Sequence, residues 1–357
     1  MGRSRDLFEG YWSGKLDPAQ EHPFAPLFDV EPVAARSTFV SSFANATAFE
    51  TDDGLVLVDT GSFVLAQQVH RLVRSVSRQP LHTAVYTHGH VDHCFGVELY
   101  EAEGLPVRVI AHERVPARFE RYALTRGYNA CINTRQFQTP TAWPERFRSP
   151  DVTYAASMDV VIGGETFALR HALGETDDAT WVWVPSRRVV CAGDLFIWAT
   201  PNAGNPQKVQ RYPREWAVAL RAMAALGAEA MCPGHGPPIL GADRVTQALT
   251  ETAELLESLV AQTLALMNEG ARLDAILDAV KAPPHLLGRP YLRPVYDEPE
   301  FVVRNVWRLY GGWWDGDPSH LKPARAASLA REMAALAGSA TKLADRAAEL
   351  AAKGDLP

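Results

Sequence analysis

The chain has 357 residues, 47% of them apolar and 22% charged, with a formal net charge of -7. That is the profile of a folded protein large enough for one sizeable domain and a smaller one, and an acidic balance argues against a sequence-independent grip on nucleic-acid phosphates while leaving room for a local basic patch. No run of 18 apolar residues occurs and Met1 to Asp6 lead into no apolar segment, so neither a membrane span nor a secretory signal is expected.

In chain order, the first 30 residues are rich in proline and aromatics and read as an ordered but irregular arm. Strand patterning begins at Ser37: residues 37–43 and 46–50 precede an Asp52-Asp53-Gly54 turn, and 55–59 follow it. Residues 63–76 space Val64, Val69, Leu72, Val73 and Val76 at helical intervals. Further strands are expected over 83–87 and 106–111. Between 113 and 150 arginines and aromatics follow one another with no clean period. A second strand set covers 160–162, 167–171, 180–184 and 189–192, the last pair joined by a turn at 185–188. A helix is read over 215–226 and a short strand over 229–232. Strands then helix, twice over, imply an α/β fold in which two sheets pack face to face with helices outside, a four-layer αββα sandwich. Beyond residue 243 strand patterns vanish, and Leu255, Leu259 and Leu266, then Leu329, Met333 and Leu336, recur at helical spacing. The expected division is therefore 1–245, including an arm over 1–35, and an all-helical domain over 246–357.

The chemistry concentrates in residues 87–93, Thr-His-Gly-His-Val-Asp-His, directly after an apolar run. On a strand end, alternation places His88 and His90 on one side of the backbone, and a helix starting there would turn Asp92 and His93 toward a second cation. Neutral imidazole and carboxylate are ligands of zinc and similar divalent ions. Three more candidates follow apolar strands: Glu175 in Gly-Glu-Thr, Asp194 in Ala-Gly-Asp, and His235 in Pro-Gly-His-Gly. A carboxylate at a strand end can bridge two cations, and a histidine in a Gly/Pro turn presents its ring. Singly, each has a plain alternative as a helix cap or a solvated turn; in order behind the histidine run they reinforce one another. Cys94, Cys191 and Cys232 each lie near one of these residues and are read as small packing residues; with Cys131 they show no CxxC pairing, which fits reduced thiols in the cytoplasm.

This ordered set, preceded by Asp59-Thr60-Gly61, resembles the metallo-β-lactamase superfamily over residues 35–245. The resemblance implies that His88, His90 and Glu175 hold one divalent metal and Asp92, His93 and His235 a second, most simply zinc. Asp194 would bridge them, and Asp92 and Asp194 would be the catalytic pair. Asp59 would support the ligands from behind, a role also expected of Asp177 and Asp178. A glutamate at 175, where the superfamily usually has histidine, is similar to the alkyl sulfatase branch. The segment ending Gly312-Trp313-Trp314-Asp315-Gly316-Asp317-Pro318 resembles that branch's helical dimerisation domain, which implies a homodimer. Two departures stand out: the bridging position is Asp rather than Glu, and the branch's third, sterol-carrier-like domain has no counterpart in these residues. By resemblance to a sulfate-contacting segment, Asn133 and Arg135 are the substrate-binding candidates.

Asp92, Glu175 and Asp194 set three negative charges against the four of two divalent ions, and a bridging hydroxide would bring the centre to neutral. Such a centre is less electrophilic than an all-histidine one. The expectation is a dinuclear metal-dependent hydrolase that cleaves a small anionic ester, a sulfate ester first, by a metal-bridging hydroxide. The alternatives are a lactonase, carboxylester or thioester hydrolase on the same site, or a non-catalytic metal-binding dimeric scaffold. The Trp313-Trp314 pair is read as core packing.

Overall fold

The computed structural model describes residues 2–355. After helix α1 (Arg3–Trp12), the chain lays down β1 (Asp29–Ala34), β2 (Ser37–Ser41), β3 (Ala46–Glu50) and β4 (Leu55–Val58) as an antiparallel meander. Helix α2 (Ala66–Val76) then crosses to β5 (Leu81–Val85), and α3 (Val97–Glu101) to β6 (Arg108–His112). Helices α4 (Val115–Leu124) and α5 (Arg126–Phe137) precede β7 (Val152–Tyr154). β4 to β7 run parallel, completing a seven-stranded sheet in sequential order.

The second sheet holds β8 (Ser157–Ile162), β9 (Glu165–Ala172), β10 (Ala179–Val184) and β11 (Val189–Ile197) as antiparallel neighbours. Helix α6 (Pro213–Ala224) carries the chain to β12 (Ala230–His235), parallel to β11, and β13 (Ile239–Leu240) closes the edge. All nine residues of β11 are buried, as a central strand covered on both faces requires.

The sheets meet face to face. Phe39, Phe49, Val56 and Val85 of the first interdigitate with Phe167, Leu169 and Val182 of the second. On the outside, Val69 and Val73 of α2 cover the first sheet. Trp216, Leu220 and Met223 of α6 cover the second. The architecture is the four-layer αββα sandwich expected, followed by a helical C-terminal part.

The first ten or so residues are a helix rather than an irregular arm. Phe8 and Tyr11 recur at helical spacing and bury against Trp198, while the prolines that colour the composition all lie beyond residue 17. Likewise the stretch 113–150 contains two helices. The inward stripe of α4 is Val115, Arg118, Phe119 and Tyr122, and that of α5 is Asn129, Ile132 and Asn133. Polar residues on an inward stripe erased the apolar period, because these helices face a cavity and not a core.

Helix α7 (Ala242–Asn268) shares one apolar core with α6, and α8 (Leu273–Ala279), α9 (Pro284–Leu287) and α10 (Pro299–Gly311) pack against it. The last pair, α11 (Ala326–Ala337) and α12 (Ala340–Ala352), pack on each other and bury no residue fully. Leu329, Met333 and Leu336 stand exposed on α11, although their spacing is helical as read. Trp313 is 72% exposed and Trp314 39%, so the tryptophan pair is not core. Trp314 instead braces its loop, its indole N–H donating to the Asp317 carbonyl at 2.8 Å. Among the described residues no helix is long and apolar enough to cross a membrane.

Candidate metal centre

Seven side chains converge where β4, β5, β9, β11 and β12 end or bend at one edge of the sandwich. One group comprises His88, His90, Glu175 and Asp194, the other Asp92, His93 and His235. His88 Nε2 lies 2.9 Å from His90 Nδ1 and 3.6 Å from Glu175 Oε2. His90 Nδ1 lies 3.3 Å from the same oxygen. In the second group Asp92 Oδ2 is 3.6 Å from His93 Nε2 and 3.4 Å from His235 Nε2. Asp194 sits between the groups: Oδ2 is 3.7 Å from His88 and 3.4 Å from His235, and Oδ1 is 3.3 Å from His93. Donors set about 2.0–2.1 Å from one tetrahedral ion are about 3.3–3.4 Å apart, so both groups have the span of a coordination shell.

The donors are also free to serve. His93 Nε2, Glu175 Oε2 and Asp194 Oδ1 are buried with no hydrogen-bond partner, a costly state unless something else meets them. Partners behind each ring decide which nitrogen points inward. Asp59 can only accept, so His93 Nδ1 donates to its Oδ2 at 2.8 Å. His235 Nδ1 donates to the Phe43 carbonyl at 2.5 Å. Thr87 gives its hydroxyl proton to Asp59 at 2.8 Å and accepts from His88 Nδ1 at 3.0 Å. In each case the lone pair left over is Nε2, facing the cluster.

The backbone supplies the rest. Asp59 adopts the left-handed region at φ +58°, which an Asp tolerates better than a branched residue. β11 loses its register with β12 at Gly193, whose φ is +52° and whose missing Cβ leaves room for the Thr87 side chain. That irregularity aims Asp194 inward from within a strand, not from its end. A Cβ at Gly234 would overlap Asp194 Oδ1. The histidine run itself is neither strand nor helix: β5 stops at Val85, and residues 87–93 run through bends and a turn. The candidate ligands of this run therefore reach the cluster through loop geometry and not through strand alternation or a helix start.

Burial and charge pull in opposite directions across the site. Burial, with His93 and His90, pushes His88 down to about 3 and keeps it neutral. Burial disfavours a charged His93, yet Asp194, Asp92 and Asp59 outweigh it and raise the imidazole well above its ordinary value. Burial likewise opposes ionisation of Asp194, but His235 and His93 hold it well below the carboxylate range. Glu175 is held down against burial by Arg211 and His90.

Arg211 is the largest element that sequence reasoning missed. Its guanidinium pairs with Glu175 Oε1 at 2.8 Å, and Asn202 Nδ2 donates to the same oxygen at 2.8 Å. One carboxylate oxygen is thus anchored while the other faces His88 and His90. Three carboxylates against two cations therefore overcounts the negative charge of the centre. No motif marks Arg211 or Asn202 in the sequence. Of the supporting residues, Asp178 is buried and accepts from the Gly89 N–H at 3.1 Å and Arg118 Nε at 2.7 Å, which clamps the loop between His88 and His90. Asp177 touches Arg118 but no ligand. Cys94, Cys191 and Cys232 are buried and free, while Cys131 is exposed.

A cavity of about 630 Å³ opens over the cluster. His90, Asp92, Glu175, Asp194 and His235 form its floor, and Phe24, Phe43, Phe63, Tyr122, Phe137 and Trp143 much of its wall. Asn129 and Asn133 line it, four residues apart on one face of α5. Arg135 does not. Two residues beyond Asn133, about 200° round the helix, it is exposed and donates to Gln207 Oε1 at 3.3 Å.

Comparison with known proteins agrees with this architecture. The family described as Metallo-beta-lactamase superfamily matches residues 41–235, and the one described as Alkyl sulfatase dimerisation matches 272–357. A linear primary-alkylsulfatase of Pseudomonas sp. is 30% identical over 332 residues, which cover 86% of this chain and 63% of that protein. An alkyl/aryl-sulfatase of Saccharomyces cerevisiae is 24% identical over 346 residues, 87% of this chain and 53% of that one. The chain thus spans between half and two thirds of these relatives. The solved structure of a sec-alkylsulfatase from Pseudomonas sp. shares the fold, with a TM-score of 0.81 at 22% identity over 91% of this chain and 57% of that one. With its sandwich and the whole histidine, glutamate and aspartate set inside a match that takes in more than half of its residues, the chain belongs to the metallo-β-lactamase superfamily.

Proposed function

We propose that this chain is a metal-dependent hydrolase that cleaves an alkyl sulfate ester and holds two divalent cations, zinc before others. The observation that carries the reading is the pair of donor groups, each with its ligand atoms within 4.8 Å of one another, at the foot of an apolar cavity. Four imidazoles among seven donors favour zinc. When bound, such cations supply Lewis-acid polarisation of the ester and acidify water. His88, His90 and Glu175 would hold one, Asp92, His93 and His235 the other, with Asp194 offering an oxygen to each.

The chain's own residues do the remainder. Asp59 and the Phe43 carbonyl keep His93 and His235 in the tautomer that presents Nε2. Arg211 offsets the charge of Glu175 and so preserves the pull on an anionic head. The aromatic wall excludes water and takes an alkyl tail, a fit supported by the relatives whose names are alkylsulfatases. The exposed leucines and methionine of α11, within the segment that matches a dimerisation family, support a homodimer joined through the helical domain over 246–357. Four unpaired cysteines support a reducing compartment, the cytoplasm.

The test is metal content together with sulfate release from a series of alkyl sulfates. Two divalent ions per chain and sulfate release, both lost in His90→Ala, are expected. Turnover of lactones or thioesters without sulfate release would move the assignment to those esters. Unchanged metal and activity in His90→Ala would remove the site assignment altogether.

A further inference from the structure

We propose that Lys208 is the residue that positions the anionic head of the substrate over the metal centre, an inference that rests on the sulfate-ester reading above. The cavity wall carries several cations, and their partners separate them. Arg211 is committed to Glu175 at 2.8 Å, and Arg118 to Asp177 and Asp178. Arg121 lies over the ring of Tyr122, 5.2 Å from its centroid, and Arg308 is exposed to solvent at the outer wall. Lys208 is half-buried, lines the same cavity, and among the described residues has no carboxylate within ion-pair distance.

Its place in the chain points the same way. Lys208 lies in the segment between β11 and α6 that also supplies Asn202 and Arg211, the two groups gripping Glu175. Burial and the neighbouring Arg211 disfavour its charge, while Glu175 and Asp92 favour it. Those carboxylates would be spent on cations in the loaded protein, which leaves the ammonium to an incoming anion. A partly desolvated ammonium without a partner is costly. A compact charge with three rotatable donors suits the oxygens of a tetrahedral monoanion. The neutral tail then extends along the aromatic wall. This assigns to Lys208 the head-group contact for which Arg135 is badly placed.

The experiment measures calorimetric binding of n-octanesulfonate and of n-octanol, same tail with and without the anion, to the metal-loaded full chain. The sulfonate has no ester bond to cleave, so binding is read without turnover. In Lys208→Met the sulfonate should weaken by about 10-fold or more, the loss of one charge-assisted hydrogen bond, with octanol unchanged within about two-fold and metal content unaltered. Lys208→Arg should restore most of the sulfonate affinity. Equal weakening for both probes, no weakening, or a wild-type protein that prefers octanol would overturn the proposal. Sulfate release by the wild type is scored separately. Its absence alongside intact, Lys208-dependent sulfonate binding would sink the sulfatase reading and leave the anion site standing.

Discussion

Replacing Asp59 by Asn tests whether the buried carboxylate sets the chemistry of His93 without touching the cluster itself. Asp59 accepts three hydrogen bonds, from Thr87 N at 2.7 Å, Thr87 Oγ1 at 2.8 Å and His93 Nδ1 at 2.8 Å. An amide can accept at only one of its two ends. Whichever way it turns, its NH2 group faces a donor, either the Thr87 N–H or the pair formed by Thr87 Oγ1 and His93 Nδ1. The local escape is for His93 to move its proton to Nε2, which removes the lone pair from the second donor group. One buried charge-assisted hydrogen bond is worth about 1.5–3 kcal/mol, and loss of a carboxylate behind a ligating histidine lowers metal affinity about 10–100-fold. The fold should survive, because Asn tolerates the left-handed backbone that Asp59 adopts at φ +58°. Equilibrium dialysis against a graded chelator series is the assay. Asp59→Asn is expected to release one cation at a chelator concentration about 10–100-fold below that needed for the wild type, with a native-like circular dichroism spectrum. Retention of both cations to the same chelator concentration would refute the reasoning.

Gly234→Ala places a methyl group onto Asp194 Oδ1, so it should displace that carboxylate and lower the metal content of dialysed protein. Gly127→Ala, with nothing within 4 Å of the new methyl, should leave it unchanged; similar metal content in both variants would contradict the close approach. Asp297 offers a pH test away from the ligands. Burial pushes its carboxyl up to about 7, against about 3.9 in an unfolded chain. The folded state holds this proton more tightly. The stability associated with it is therefore fully present below pH 4 and declines as pH rises through 7, by at most about 4 kcal/mol. In urea unfolding, Asp297→Asn should gain on the wild type between pH 5 and pH 8. A difference that does not vary with pH would exclude the mechanism.

Much of the site could be read because donor side chains of the right type cluster in the sequence, although loop geometry and not strand alternation brings them together. The run from His88 to His93 places four donor side chains within six residues, and Glu175, Asp194 and His235 come in order behind it, each close to an apolar run. What escaped was anything whose reason lies across the fold. Arg118 stands on the inward stripe of α4 because Asp177 and Asp178 approach from another sheet, and its charge hides the helix from a hydrophobic period. Asn129 and Asn133 do the same for α5 because a cavity faces them. The N-terminal helix was masked by prolines that follow it, and what stabilises it is burial of Phe8 and Tyr11 against Trp198, nearly two hundred residues away.

By itself the sequence determined the sandwich, most of its strands and the seven side chains that the structure brings together, since apolar periods and residue types are local properties. Tertiary structure decided how those donors serve. Asp59, Thr87 and the Phe43 carbonyl choose the ring nitrogens, Arg211 and Asn202 leave Glu175 one free oxygen, and Arg135 stands exposed beside Gln207 while Lys208 lines the cavity. These are through-space contacts of buried charge, strong because the surroundings are dry, and nothing in linear spacing encodes them.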